Sequence, residues 1–197
     1  MLYTSTRGQT DMVCSAHAIT RGLADDGGLF VPQKFATLAL DEIVAMSELP
    51  YAERAARILS LFLTDYTEEE LLACTSAAYS EERFGGFAAP LKQVKDKIAV
   101  LELWHGPTSA FKDMALQLLP HLLLKAIEKT GEQNNIVILV ATSGDTGKAA
   151  LEGFADVKGT QIIVFYPDDG VSDIQKRQMI TQQGSNVNVI AVHGNFD

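Results

Sequence analysis

Lys112 is the residue whose position most invites chemistry. It lies in the run ELWHGPTSAFKDMALQ, residues 102–117, where a strand ends at Trp104 and a His-Gly-Pro-Thr turn leads into a helix. Ser109 is a candidate N-cap, which puts Lys112 in the first helical turn. The helix dipole disfavours a cation there by a few tenths to about 1 kcal/mol. That field, and burial between Phe111 and Met114, favour the uncharged amine. An uncharged amine is a nucleophile toward an aldehyde. The alternative is a solvated surface lysine whose charge Asp113 partly offsets.

A second run, TSGDTG at residues 142–147, follows the apolar stretch IVILVA. Small residues and hydroxyls that open a helix leave N–H groups free, and with the helix dipole they attract an anion. Gly144 and Gly147 let a ligand approach the backbone. Equally, Thr142, Ser143 or Asp145 could be doing no more than capping the helix. The run is not a P-loop. Only two residues separate Gly144 from Gly147, and Ala149 follows Lys148 where a Mg²⁺-binding hydroxyl would stand. A third loop, YPDDG at 166–170, follows QIIVFY. In open parallel sheets, ligands bind in such loops, beyond the carboxyl ends of the strands.

The elements that must hold these loops are legible from pattern. IVILVA (136–141), QIIVFY (161–166) and NVIAVH (188–193) read as strands, the first two as runs buried on both faces. Helices are expected over Lys148–Asp156 and Ser172–Gln183, with Gly184 as a C-cap. Strand, helix, strand, helix, strand implies a parallel α/β sheet. A helix is expected from Ser109 to Thr130, kinked near Pro120. PLKQVKDKIAVLELW (90–104) reads as a hairpin turning at Lys95-Asp96-Lys97. Earlier, GLADDGGLFVP (22–32) is a turn before a short strand stopped by Pro32. Leu40–Met46, Tyr51–Asp65 and the stretch after Thr67 read as helices, the last opened by a Thr67/Glu70 capping box. The character changes around Phe84. A mainly helical N-terminal region, 1–83, and the first part of an α/β domain, 84–197, are therefore expected. The chain stops at Asp197, directly after a strand and with no further helix to cover the sheet. This predicts a piece of a longer protein.

Composition sets the outer bounds. Apolar residues are 47% and charged residues 21% of the 197, ordinary globular usage that argues against disorder. The net charge of −9 has the wrong sign for a surface devoted to nucleic acid or anionic lipid. Cys14 and Cys74 fit no metal-ligand or disulfide pattern, and no metal is expected. They suit reduced thiols in a cytoplasmic protein. The N-terminus lacks a signal-peptide core, and LQLLPHLLLKAI (116–127) is too short and too interrupted to span a bilayer.

HGPTSAFKDMALQ and ATSGDTGKAA together resemble threonine synthases, of the fold-type II group of pyridoxal-phosphate (PLP) enzymes. TSTRG, GLADDGGLFVP, VFYPDDGVSDIQKRQM and HGNFD resemble the same family, in order along the whole chain. The resemblance implies a tryptophan-synthase-β-like PLP fold, here truncated at its C-terminus. It implies conversion of O-phospho-L-homoserine and water to L-threonine and phosphate. Lys112 takes the place of the cofactor-holding lysine, with Phe111 and Asp145 also against the cofactor. Thr142, Ser143, Gly144, Asp145 and Thr146 fall in the segment that holds the substrate's carboxylate or phosphate. His105 and Thr108 fall in the pocket-lining turn, although His105 also suits a hydrogen-bonded turn residue. Family members are more than twice as long. The groups that meet the PLP phosphate and pyridine nitrogen lie in the remainder, so the fragment by itself is expected to be inactive.

Rivals are a serine or threonine dehydratase of the same fold type, and a non-catalytic protein that keeps the scaffold. The HGPT turn, and Asp145 where dehydratases usually have Asn, favour threonine synthase over the first. Lys112 itself argues against the second.

Overall fold

A computed structural model describes residues 1–142 and 144–194. In chain order the elements are β1 (Tyr3–Ser5), α1 (Ser15–Arg21), β2 (Phe30–Pro32), α2 (Leu40–Ser47), α3 (Tyr51–Ser60), α4 (Glu68–Ala78) and α5 (Glu81–Phe84). Then follow β3 (Leu91–Lys95), β4 (Ile98–Leu101), α6 (Asp113–Leu116), α7 (Leu119–Thr130) and β5 (Ile136–Ala141). The last are α8 (Asp145–Phe154), β6 (Thr160–Pro167), α9 (Asp173–Ile180) and β7 (Val187–Val192). Two compact units emerge: Met1–Tyr79 with His121–Gln133, and Ser80–Pro120 with Asn134–Asp197. Among the described residues no helix is long and apolar enough to cross a membrane.

In the first unit, β1 and β2 form a short antiparallel ladder, Thr4 opposite Val31. α4 opens with the expected capping box: Glu70 N donates to Thr67 Oγ1 and Thr67 N to Glu70 Oε2. Leu71, Cys74, Thr75 and Ala78 form its buried face. The start of α1 is held from a distance, Ala16 N donating to Asp65 Oδ2 at 2.8 Å and Ser15 Oγ to Oδ1.

These acidic anchors make the unit sensitive to acid. Burial raises the Asp65 carboxyl, but the bonds from Ser15 and Ala16 outweigh burial and hold its pKa below the ordinary value. The Lys129 ammonium, 2.7 Å away, lowers Glu70, helped by the Thr67 N–H. A carboxyl depressed in the folded state stabilises above its unfolded pKa, and that contribution is lost as pH falls through the folded pKa. The melting temperature should thus start to fall as pH drops toward the ordinary carboxyl values of about 4 and go on falling below them, through the lower folded values of Asp65 and Glu70. In Asp65→Asn, circular dichroism should show a lower melting temperature at pH 7 and a shallower acid slope.

The second unit is built on β5, β6 and β7, parallel and in that order, with Val140 beside Val164 and Val164 beside Val189. α8 packs on β5 and β6, and α9 packs on α8. Ala149, Leu151, Phe154, Ile162, Val164 and Met179 are the buried layer between. Both helices therefore share one face, and the expectation that β5 is buried on both faces is not met. Burial alternates along it, with Val137 and Leu139 exposed. β3 and β4 form the expected hairpin, with Lys97 in a left-handed turn.

The single helix expected over Ser109–Thr130 is instead two. In a continuous helix the Pro120 ring would meet the Leu116 carbonyl. Here α6 ends at Leu116, Leu118 N tightens to Ala115 O, and Pro120 sits in the first turn of α7, where a missing N–H costs nothing. The Leu116 carbonyl faces Gly153 of α8, and a Cβ on Gly153 would lie 2.1 Å from that oxygen. Gly153 thus fixes how closely α6 approaches α8. Gly153→Ala should destabilise by about 1–3 kcal/mol, the usual cost of overpacking, measured as a lower urea midpoint.

Candidate active site

The HGPT turn is held by an acid that the sequence gave little reason to single out. Asp113 is fully buried. Its Oδ2 accepts from Thr108 N and its Oδ1 from Thr108 Oγ1, both at 2.8 Å. A Cβ on Gly106 would lie 2.5 Å from Asp113, so the carboxylate fills the space over that glycine. Gln117, one turn on, touches Oδ1 at 3.5 Å and accepts from Arg83 Nη1 on α5. Asp113 is thus no surface partner for a lysine charge. Ser109 is not the N-cap either: its φ is +59° and its N–H returns to Gly106 O, closing the turn. A non-glycine residue so placed is held by surrounding bonds against a cost of order 1 kcal/mol.

The remaining residues of the turn are accounted for. His105 Nε2 is 2.8 Å from Glu102 Oε2, and Trp104 stacks on its ring at 5.8 Å. Glu102 is itself nearly buried and also faces Lys92 at 3.6 Å. The reading of His105 as a hydrogen-bonded turn residue accounts for these contacts.

Lys112 stands immediately before α6, half-buried. Its Nζ lies 4.3 Å from the centroid of the exposed Phe111 ring. Among the described residues it takes part in no ion pair. Among the described residues no carboxylate ties this amine up, and it rests on an aromatic face.

The other half of the site is the start of α8. Thr142, nearly buried, accepts from Gly144 N at 3.1 Å and Gly147 N at 3.2 Å through Oγ1. It therefore has the capping role allowed for it. Ser143 lies outside the described residues. Gly144 is the N-cap, with φ +152° and no side chain to offer. Asp145 Oδ1 accepts from Gln175 Nε2 at 3.0 Å. Thr146 is half-buried in the first turn. The N–H groups of Asp145 and Thr146 take no partner among the described residues, and such groups at a helix start suit an anion.

The two halves meet in one cavity of about 80 Å³, lined by Thr108, Ser109, Ala110, Asp145, Lys148 and Gln178. It accommodates a phosphate or carboxylate, well short of the several hundred Å³ of a cofactor pocket. Thr108 and Asp145 are thus brought together, whereas Lys112 does not line this cavity. Asp113, Gln175 and Gln178 were missed by sequence reasoning. The Ser-x-x-Gln spacing of Ser172 and Gln175 is a capping-box signature that could have flagged one of them. Among the described residues no cluster of His, Cys, Asp and Glu could hold a metal ion.

Comparison with known proteins agrees along the whole chain. A family model described as threonine synthase N terminus matches residues 2–79. Threonine synthase from Pseudomonas aeruginosa is 43% identical over 205 residues, covering 100% of this chain and 42% of the relative. Threonine synthase from Schizosaccharomyces pombe is 38% identical, covering 99% and 39%. The crystal structure of PLP-bound threonine synthase from Brucella melitensis superposes with a TM-score of 0.88 at 37% identity, covering 100% of this chain and 42% of that one. The chain therefore spans about two-fifths of the length of the curated relatives it matches. With motifs, fold and similarity along the whole of this chain in agreement, the chain belongs to the threonine synthase family and corresponds to the N-terminal part of its members.

Proposed function

We propose that this chain supplies the reactive lysine and the anion-holding turn of a PLP-dependent threonine synthase, a cytoplasmic lyase. The reaction is conversion of O-phospho-L-homoserine and water to L-threonine and phosphate. The observation that carries the reading is similarity along the entire chain, in sequence and fold, to a threonine synthase whose structure holds PLP.

The residues present suit that cofactor. An aldehyde needs an amine free of ion pairs, and Lys112 offers one. Phe111 and Asp145 are the other residues of this chain that would border it. When bound, PLP supplies an electron sink for carbanions on the amino-acid substrate. Lys112 moves protons between the substrate's carbons. Thr142, Ser143, Gly144, Asp145 and Thr146 form the turn that holds the substrate's carboxylate or phosphate, with Thr142 capping it and the N–H groups of Asp145 and Thr146 as donors. Thr108 closes the other side of that subsite, and His105 braces the turn behind it. The cavity, at about 80 Å³, fits one such anionic group.

The test is to express the protein from its complete reading frame and supply PLP. O-phospho-L-homoserine should yield phosphate and threonine in equal amounts. Ammonia release from threonine or serine, without turnover of the phosphorylated substrate, would make it a dehydratase instead.

A further inference from the structure

We infer that Gln175 of α9 is the positioning residue that holds Asp145 away from the N–H groups of the α8 turn, leaving them open to the substrate's anion. The inference rests on the reading of that turn as an anion holder. Gln175 works with both ends of its amide. Its Oε1 accepts from Ser172 N at 3.3 Å and Ser172 Oγ at 3.0 Å, and its own N–H donates to Ser172 Oγ. Its Nε2 donates to Asp145 Oδ1 at 3.0 Å. A flipped amide would face an oxygen to the Asp145 carboxylate and an NH₂ to the Ser172 N–H, so the orientation is determined by its partners.

The backbone of the turn is shaped around the same amide. A Cβ on Gly144 would lie 2.5 Å from Gln175 Cδ and Nε2. One side chain of α9 thus packs against the glycine that starts α8 and draws the next residue's carboxylate toward itself. Left alone, an acid at the first helical position is attracted to the positive helix end. There it would compete with an incoming phosphate or carboxylate for Asp145 N and Thr146 N.

Glutamate at 175 separates this role from helix capping. It preserves the bond to Ser172 N, because Glu serves as well as Gln in a capping box. It removes the donor to Asp145 and sets two carboxylates against each other. Lys148, which lines the same cavity as Asp145, forms no ion pair with it among the described residues. On α8, Lys148 is engaged by Glu152 at 3.1 Å; on α9, Lys176 is engaged by Asp168, and Asp173 adds only negative charge. At mildly acidic pH the facing carboxylates share a proton, which restores a bond between them.

The experiment compares wild type, Gln175→Glu and Gln175→Ala in the protein expressed from its complete reading frame. At pH 8, KM for O-phospho-L-homoserine should rise about tenfold in both variants, the loss of one charge-assisted bond, with kcat little changed. Lowering the pH toward 5.5 should return Gln175→Glu, and not Gln175→Ala, toward the wild-type ratio. A wild-type KM in Gln175→Glu at every pH, or a deficit that ignores pH, overturns the inference. Binding of inorganic phosphate to the three proteins, followed by ³¹P NMR, decides it independently of turnover. Binding should weaken about tenfold in both variants at pH 8. Equal affinities, or no phosphate binding by the wild type, overturn it even if the enzyme reading stands. Weakened binding alongside a wild type inert on the phosphorylated substrate upholds it while refuting that reading.

Discussion

Asp113→Ala should lower stability by about 3 kcal/mol and open the HGPT turn, because it leaves two Thr108 donors without their charged acceptor. The estimate follows from burial: Asp113 is fully enclosed and bonds both the backbone N–H and the hydroxyl of Thr108. Alanine also empties the space over Gly106. The check is urea unfolding with hydrogen exchange at Thr108. The midpoint should drop, and the Thr108 amide should become one of the fastest to exchange in the second unit. Asp113→Asn keeps the shape and one acceptor, so it should cost less. If alanine and asparagine were both neutral, the turn would have to be held by something other than this carboxylate.

Lys112→Ala should abolish turnover in the protein expressed from its complete reading frame, by a factor of at least about 10⁴, since nucleophile and proton carrier are lost together. Folding should be untouched, because Lys112 forms no ion pair among the described residues and only rests on Phe111. Lys112→Arg should fare no better, because a guanidinium stays charged and cannot attack a carbonyl. A decisive result is therefore an unchanged melting temperature without cofactor, beside an activity at background.

Much of this architecture was legible because it is local. The Thr67/Glu70 capping box, the turn at Lys95–Lys97 and the strand–loop–helix at Thr142–Gly147 each depend on residues a few positions apart. What sequence reasoning missed depends on distant partners. The break between α6 and α7 reflects Pro120 together with the Leu116 carbonyl under Gly153, a contact across 37 positions. Lone pairs on Asp113 could have gone to water or to Lys112, and only the fold directs them to Thr108. Ser172 and Gln175 are a readable cap, but the second use of that amide, on Asp145, spans 30 positions. The continuous apolar run of β5 could not reveal that α8 and α9 would share one face and leave Val137 and Leu139 exposed.

The central claim, that the amine of Lys112 holds the cofactor, is tested most directly by chemical trapping. The protein expressed from its complete reading frame is loaded with PLP, reduced with borohydride, digested and mapped by mass spectrometry. The account predicts a single stoichiometric pyridoxyl group on the peptide that carries Lys112, and none in Lys112→Ala. A stoichiometric label on another lysine, Lys148 for example, with Lys112 unmodified, would contradict it.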